Sequence, residues 1–243
     1  MANWEFLTEG GIEAYVVRPA EAVPVRGAVV LCTELYGIND YIRTVGDRLA
    51  ATGYAVLVPD FYWRQQRRPQ LSYSAADREA GLVLMRALDR DELIADAGTA
   101  LDAARGLAEG RGVAFLGLSM GGHIALRAAT ALRFELAALF YPGWMLNSGM
   151  PMVGPVPPVE QAADIASNGA FVLGLVGDAD HILPPAEWQE AERRLTAAGV
   201  RHELISYPGV KHGFAIEDRP ADYDAQAAGA AWERVHAALA EHL

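Results

Sequence analysis

The stretch "GVAFLGLSMGG", residues 112–122, decides the fold of this chain. An apolar run leads into Ser119, which has glycines two residues away on either side, at Gly117 and Gly121. A serine held in strained backbone at a sharp turn needs such neighbours, because side chains two residues before and after it would collide. The stretch therefore predicts a strand, a tight turn that carries Ser119, and a helix over about residues 120–130 whose amino end faces the serine.

Apolar runs alternate with segments of helical period along the rest of the chain. Most of the runs are apolar throughout, which is typical of strands covered on both faces of a sheet. The alternation predicts one α/β domain over residues 1–243, with a mostly parallel, doubly wound sheet, helices on both faces and no large cap domain. The proline-rich residues 149–160 are interpreted as an irregular connection, either a rigid surface loop or a wall of the ligand cleft. Strands are predicted at residues 12–19, 27–33, 54–60, 112–118, 136–141, 171–177 and 202–208, and further helices around residues 39–53, 188–198 and 232–239.

The composition excludes several classes of function. With 52% hydrophobic residues, the 243-residue chain can build a large core and is not a disordered protein. The net charge of −11 makes nucleic acid a poor partner, since phosphate binding needs clustered lysine and arginine. The single cysteine, Cys32, cannot form an intrachain disulfide and is expected in the core. No apolar run reaches the roughly 18–20 residues that span a bilayer, and no signal peptide is evident. We therefore expect a cytoplasmic protein without a membrane partner, as a monomer or a small homo-oligomer.

Side chains able to do chemistry follow four of the predicted strands. Glu34, Ser119 and His212 each come shortly after a strand, and Asp178 and Asp180 both follow another. Because ligands of parallel sheets bind beyond the carboxyl ends of the strands, we expect these groups to gather at one rim. The G-x-S-x-G pattern between a strand and a helix is the nucleophile elbow of the α/β-hydrolase fold. The surroundings of Ser119 thus predict that fold.

The same residues predict nucleophilic catalysis. A serine hydroxyl becomes a good nucleophile when a base takes its proton, and a histidine with a pKa of about 6.5 suits that task. A carboxylate then fixes the histidine tautomer. The chain order Ser119, Asp180, His212 is the order that α/β-hydrolases use, with Asp178 as the alternative acid. The competing interpretations are a turn serine at Ser119 and a surface-loop histidine at His212.

No spacing of metal ligands such as H-E-x-x-H or C-x-x-C occurs, so neither a metal nor a cofactor is predicted. Three further histidines are expected to be structural or to face solvent: His123, His181 and His202.

A series of longer motifs extends over nearly the whole chain. The glutamate of "TELYGIND" precedes an aromatic-glycine-hydrophobic-asparagine sequence, and "VPDFY" follows a Gly-Tyr turn. Further along come "DREAGLVLMRALD", "GLSMGG", "DADHILP" and "YPGVKHGFA". In these motifs the chain resembles the dienelactone hydrolase family. The resemblance implies that Ser119 is the nucleophile, that Asp180 rather than Asp178 is the acid, and that His212 is the base.

The resemblance also assigns supporting residues. It implies that Glu34 contacts the resting nucleophile and that the backbone N–H groups of Leu35 and Met120 form the oxyanion hole. Arg78 falls on one of two arginines that hold a substrate carboxylate in the family, whereas Ile216 stands where the second would be. The usual nucleophile of the family is cysteine, and a serine depends more on its histidine than a thiol does. The role of Glu34 beside a serine is therefore open, from holding the hydroxyl or a water to tuning His212. Burial at the rim should raise the pKa of Glu34, and the competing interpretation is a loop glutamate in solvent.

The substrate predicted from these residues is a neutral ester or lactone. A pocket with few fixed charges and an aromatic rim suits uncharged ligands, and Arg78 alone would be a weak anion clamp, or merely a surface arginine. The alternatives are other acyl chemistry on the same triad, such as amide cleavage or acyl transfer, and a non-catalytic binding protein on this scaffold. The aromatic residues predicted at the rim are Tyr36, Phe61, Tyr62, Trp63, Trp144 and Phe214.

Overall fold

A computed structural model, which describes residues 2–8 and 11–243, contains a sheet of eight strands. The strands lie in the order β1-β2-β4-β3-β5-β6-β7-β8. β1 pairs with β2 and β2 with β4 in antiparallel fashion, and every other neighbouring pair is parallel. The strands are β1 (Ala2–Phe6), β2 (Glu13–Val17), β3 (Gly27–Cys32), β4 (Tyr54–Pro59), β5 (Val113–Leu118), β6 (Leu136–Phe140), β7 (Phe171–Gly177) and β8 (His202–Tyr207).

Helices cover both faces of the sheet. The apolar residues of α1 and α7 pack on one face, and those of the other helices pack on the opposite face. Side chains cap four of the helices at their amino ends: Asn39 before α1, Ser74 before α2, Asp89 before α3 and Asp224 before α7. The helices are α1 (Asp40–Ala51), α2 (Ala75–Arg86), α3 (Arg90–Leu107), α4 (Met120–Ala131), α5 (Ala162–Asn168), α6 (Pro185–Ala197) and α7 (Ala225–His242), with a 3₁₀ helix at Pro158–Gln161.

The register of the central strands brings their carboxyl ends to one edge. Cys32 of β3 lies beside Gly117 of β5. Glu34 follows Cys32 by two residues and Ser119 follows Gly117 by two residues, so both lie just beyond the same edge of the sheet. On the other side of β5, Leu118 pairs with Phe140 of β6. This edge is where a parallel sheet binds its ligands.

The predicted fold class and all seven predicted strands are confirmed. The sequence pattern missed β1, because this edge strand is short and lacks an apolar run. It packs Trp4 against Tyr15 at a ring-centroid distance of 5.9 Å. The single domain over residues 1–243 stays a prediction. Three residues in that range, Met1, Glu9 and Gly10, lie outside the described residues.

The proline-rich connection after β6 lies at the surface, with Gly149, Pro151 and Pro155 exposed, and none of its residues lines the ligand pocket. Met152 and Val153 within it are fully buried against the helical layer. The Arg127 guanidinium of α4 donates hydrogen bonds to the carbonyl oxygens of Val153 at 2.7 Å and Val156 at 2.8 Å. A buried cation thus holds the segment onto the fold through backbone acceptors. No helix within residues 2–8 and 11–243 is both long enough and apolar enough to traverse a bilayer.

Candidate active site

Ser119 occupies a strained turn between β5 and α4. Its backbone has φ +54° and ψ −110°, a conformation that L-residues rarely adopt. The turn is fixed by a hydrogen bond of 2.9 Å from the Ser119 N–H to the carbonyl oxygen of Phe140. A Cβ atom on Gly117 would lie 2.0 Å from the carbonyl oxygen of Gly121, and one on Gly121 would lie 2.1 Å from that of Cys32. The crowding predicted around the serine is confirmed, since only glycine fits at either position.

Three side chains form a continuous hydrogen-bonded chain at the edge of the sheet. Ser119 Oγ lies 2.8 Å from His212 Nε2, and His212 Nδ1 lies 2.8 Å from Asp180 Oδ2. The other oxygen of Asp180 accepts hydrogen bonds from the N–H groups of Ile182 at 2.7 Å and Leu183 at 3.1 Å. An ionised Asp180 therefore holds the proton of His212 on Nδ1, which leaves Nε2 free to accept the proton of the serine.

The alternative acid Asp178 takes no part in this chain. Its carboxylate is exposed and accepts a hydrogen bond of 2.5 Å from the N–H of Gly209, in the loop after β8. Asp178 thus joins two loops, whereas Asp180 and His212 are almost completely buried. Of the two candidates, only Asp180 contacts the imidazole.

Two residues from different elements line the pocket of Ser119 and have backbone N–H groups without an acceptor among the described residues. Leu35 follows β3 and Met120 begins α4, and no described residue accepts a hydrogen bond from the N–H of either. The buried Tyr62 hydroxyl donates a hydrogen bond of 3.1 Å to the carbonyl oxygen of Leu35 and lies 3.2 Å from Met120 Sδ. Tyr62 therefore contacts both of the residues, Leu35 and Met120, whose backbone N–H groups have no described acceptor.

Glu34 is buried beside the serine and not a solvated loop residue, with 1% of its surface exposed. Burial raises the pKa of Glu34 to about 7, although a hydrogen bond from Tyr73 and the charge of Arg219 both act to lower it. The Tyr73 hydroxyl lies 2.8 Å from Glu34 Oε1. The carboxyl group thus changes charge near neutral pH. The upward shift of its pKa agrees with the prediction from the sequence.

One pocket brings most of these residues together. Tyr36 and Trp144 lie in its wall as predicted, but the other four aromatic residues predicted at the rim do not: Phe61, Tyr62, Trp63 and Phe214. Trp63 turns away after β4, donates a hydrogen bond of 3.1 Å to Asp96 and stacks under Arg64. The lining residues are Glu34, Leu35, Tyr36, Arg78, Leu82, Met85, Ser119, Met120, Trp144, His181, Ile182, His212 and Arg219.

Phe214 lies inside the protein. It is fully buried and packs on Tyr141 and Tyr207 with ring centroids 5.2 and 5.4 Å apart. Its closeness to His212 in sequence made it a candidate for the rim. Gly213 has φ +81°, and the chain turns there, so that neighbouring side chains face opposite ways.

The pocket carries more charge than expected. Arg219 lines it together with Arg78, so the predicted absence of a second arginine is wrong. Ile216 is buried, and the tight turns that follow it bring a side chain three residues further along into the pocket. Both arginines have an acidic neighbour: Arg78 lies 3.4 Å from Glu79, and Arg219 lies 2.5 Å from Asp222. His181, expected to be structural or to face solvent, is exposed and also lines the pocket, with its ring centroid 6.1 Å from that of His212.

The chain is similar to known proteins over nearly its whole length. The family model described as "Dienelactone hydrolase family" matches residues 12–243. The chain belongs to the dienelactone hydrolase family. A candidate carboxymethylenebutenolidase of Synechocystis sp. is 30% identical over 229 residues, which cover 92% of this chain and 89% of the relative. Membership confirms the prediction of an enzyme that hydrolyses carboxylic esters or lactones.

Solved structures agree with this dienelactone hydrolase assignment. The crystal structure of a candidate dienelactone hydrolase from Klebsiella pneumoniae superposes with a TM-score of 0.83 at 27% identity, covering 95% of this chain and 93% of that one. A thermophilic esterase from Thermogutta terrifontis shares the fold alone, with a TM-score of 0.66 at 18% identity. Within the described residues of this dienelactone hydrolase family member, no group of three or more His, Cys, Asp or Glu side chains could hold a metal ion.

Proposed function

We propose that the protein hydrolyses carboxylic esters or lactones through an acyl-enzyme formed on Ser119, with His212 as base and Asp180 as its orienting acid. The observation that carries the proposal is the unbroken hydrogen-bonded chain from Ser119 Oγ through His212 to Asp180, at two distances of 2.8 Å each. Ser119 lies in a turn whose strained backbone and flanking glycines are those of a nucleophile elbow.

The first half of the reaction makes the acyl-enzyme. Ser119 Oγ attacks the carbonyl carbon while His212 Nε2 takes its proton, and the charge of Asp180 stabilises the imidazolium. The oxyanion accepts hydrogen bonds from the N–H groups of Leu35 and Met120, and each such donor is worth about 3–4 kcal/mol in the transition state. When the tetrahedral intermediate collapses, His212 Nε2 gives its proton to the leaving oxygen. In a lactone that oxygen stays attached to the acyl group.

The second half releases the acid. A water attacks the acyl carbon and loses a proton to His212 Nε2, and the same amides hold the new oxyanion. Collapse breaks the bond to Ser119 Oγ, which recovers its proton from His212. Glu34 provides a second carboxyl group near the reacting atoms, and its charge near pH 7 adds to the field that acts on them.

Labelling by a fluorophosphonate tests this proposal directly. Because the reagent phosphonylates activated serines, we expect one adduct per chain, located on Ser119 by peptide mapping, and its formation should slow in the presence of an ester substrate. Heat-denatured protein is the control and should remain unlabelled. A native enzyme without an adduct, or with one elsewhere, would contradict the assignment and favour the alternative of a binding protein.

The charges in the pocket favour an ester or lactone that carries a carboxylate. Arg78 and Arg219 approach the same cavity from α2 and from the loop before α7. A carboxylate held by a guanidinium at a partly desolvated site gains more than at a free surface. The side chain of Arg219 is 23% exposed, against 53% for Arg78, so Arg219 should contribute more.

Arg219→Met should lower the preference for anionic substrates about tenfold, as loss of one charge-assisted hydrogen bond implies. The measurement is the ratio of kcat/KM for mono-p-nitrophenyl succinate to that for p-nitrophenyl butyrate, which are similar in length. Arg86→Met removes a charge from the same helix as Arg78, outside the pocket, and should leave the ratio unchanged. An unchanged ratio in Arg219→Met would restore the neutral substrate predicted from the sequence.

A further inference from the structure

A chain of hydrogen bonds leads from the amino end of α1 to Glu34. Asn39 caps the helix, and its Oδ1 accepts a hydrogen bond of 3.1 Å from the Ile42 N–H. This contact fixes the orientation of the amide, because only the side-chain oxygen can accept. The Nδ2 atom must then face the other way, where it donates to the Tyr73 hydroxyl at 3.1 Å.

The direction of every later bond follows from this orientation. The Tyr73 oxygen accepts from Asn39 and has a single proton, which it donates to Glu34 Oε1 at 2.8 Å. Among the described residues no other acceptor is within hydrogen-bond distance of that hydroxyl. If Oε1 were protonated, two protons would compete for this one contact. The proton of a neutral Glu34 therefore lies on Oε2.

We propose that Tyr73 and Asn39 are positioning residues that hold Glu34 with Oε1 always as acceptor and so set the pH at which this carboxyl group changes charge beside Ser119. The significance for catalysis rests on the proposed function, because Glu34 shares its pocket with Ser119 and His212. The hydrogen-bond direction itself does not.

The surroundings of Glu34 show how much depends on Tyr73. Arg219, from the loop before α7, is the charged group whose attraction lowers the pKa of Glu34, and burial is the larger, opposing effect. The other groups whose pKa values respond to its charge are tyrosines, and burial raises their own pKa values, so they stay neutral. His181 and His212 also line the pocket that holds Glu34. Tyr73 is thus the neutral donor that stabilises the carboxylate form. The tyrosines are Tyr36, Tyr41, Tyr62 and Tyr141.

The test is the titration of Glu34 itself. The infrared band of its protonated carboxyl group can be followed against pH and assigned by difference from Glu34→Gln. Tyr73→Phe removes the donor to the ionised form, so protonation becomes easier and the midpoint should move up by about one pH unit. This readout needs no turnover and responds to hydrogen bonding rather than to a general loss of packing.

Two further variants keep the test decisive. Asn39→Asp retains the cap on α1 but cannot donate to Tyr73, whose proton would turn towards the new carboxylate instead of Glu34, so the midpoint should again rise. Tyr54→Phe deletes a buried hydroxyl at the amino end of β4, at the opposite edge of the sheet, and should leave the midpoint unchanged. The proposal fails if Tyr73→Phe and Asn39→Asp behave like Tyr54→Phe.

The pH profile of kcat/KM then separates the two proposals. If the kinetic midpoint moves with the infrared midpoint in Tyr73→Phe, Glu34 acts in the reaction. A shifted infrared midpoint with an unchanged rate profile would leave the positioning by Tyr73 intact and remove Glu34 from the mechanism.

Discussion

Ser119→Ala is expected to lower kcat for p-nitrophenyl acetate by about 10⁴–10⁶-fold while leaving the fold intact. Without Oγ no acyl-enzyme can form, and only binding and the two backbone amides remain to assist attack by water. Alanine removes one oxygen from a turn whose backbone is fixed by Gly117, Gly121 and the bond to Phe140. The thermal midpoint should therefore stay close to that of the wild type.

His212→Ala should cause a loss of similar size, and the double variant should be no worse than either single one. Groups that act as a unit are not additive, because each is useless without the other. Steady-state rates and the pre-steady-state burst of p-nitrophenol measure the effect. Ser167→Ala, on the exposed side of α5, is the matched control and should retain full activity. More than a tenth of the wild-type rate in Ser119→Ala would show that another residue is the nucleophile.

The framework of the site could be predicted because it depends on local pattern and on strand ends. Apolar runs indicated the parallel strands, and the polar residues that follow them meet at one edge because the strand registers align, as Cys32 and Gly117 do. The glycines around Ser119 indicated the turn, since the crowding that requires them lies within a few residues of sequence.

Side-chain direction after a strand end was much harder to predict. Tyr62 and Trp63 are adjacent, yet the first reaches Leu35 in the site and the second turns outward to Asp96. Each direction depends on the turn geometry of the loop, which has no repeating period. Likewise only the contact between Asp180 and His212, made across two loops, separates that carboxylate from Asp178.

Residues that reach the site from irregular segments left no signal in the sequence. Tyr73 lies in the loop before α2 and Arg219 in the loop before α7, and both contribute through contacts far apart along the chain. The family motif places the second arginine at the position of Ile216, whereas the tight turns after Ile216 bring Arg219 into the pocket. The charge of the pocket therefore had to be taken from the structure.

Gly121→Ala should destabilise the protein by at least about 3 kcal/mol, the upper range for overpacking, because the added methyl group meets backbone and not a flexible side chain. Its Cβ would lie 2.1 Å from the Cys32 carbonyl oxygen and 2.7 Å from that of Thr33. Relief would require α4 to move away from the end of β3. That movement would also separate the amides of Met120 and Leu35, so activity should fall with stability.

Thermal unfolding should show this loss as a drop in Tm of roughly 6–12 °C for a chain of this size. Gly106→Ala provides the matched control, because Gly106 lies within α3 and a Cβ there would meet nothing within 4 Å. That change should stabilise the helix by up to about 1 kcal/mol, since alanine favours helix more than glycine does. If both variants were equally stable, β3 and α4 would not be held in the close contact on which the turn at Ser119 depends.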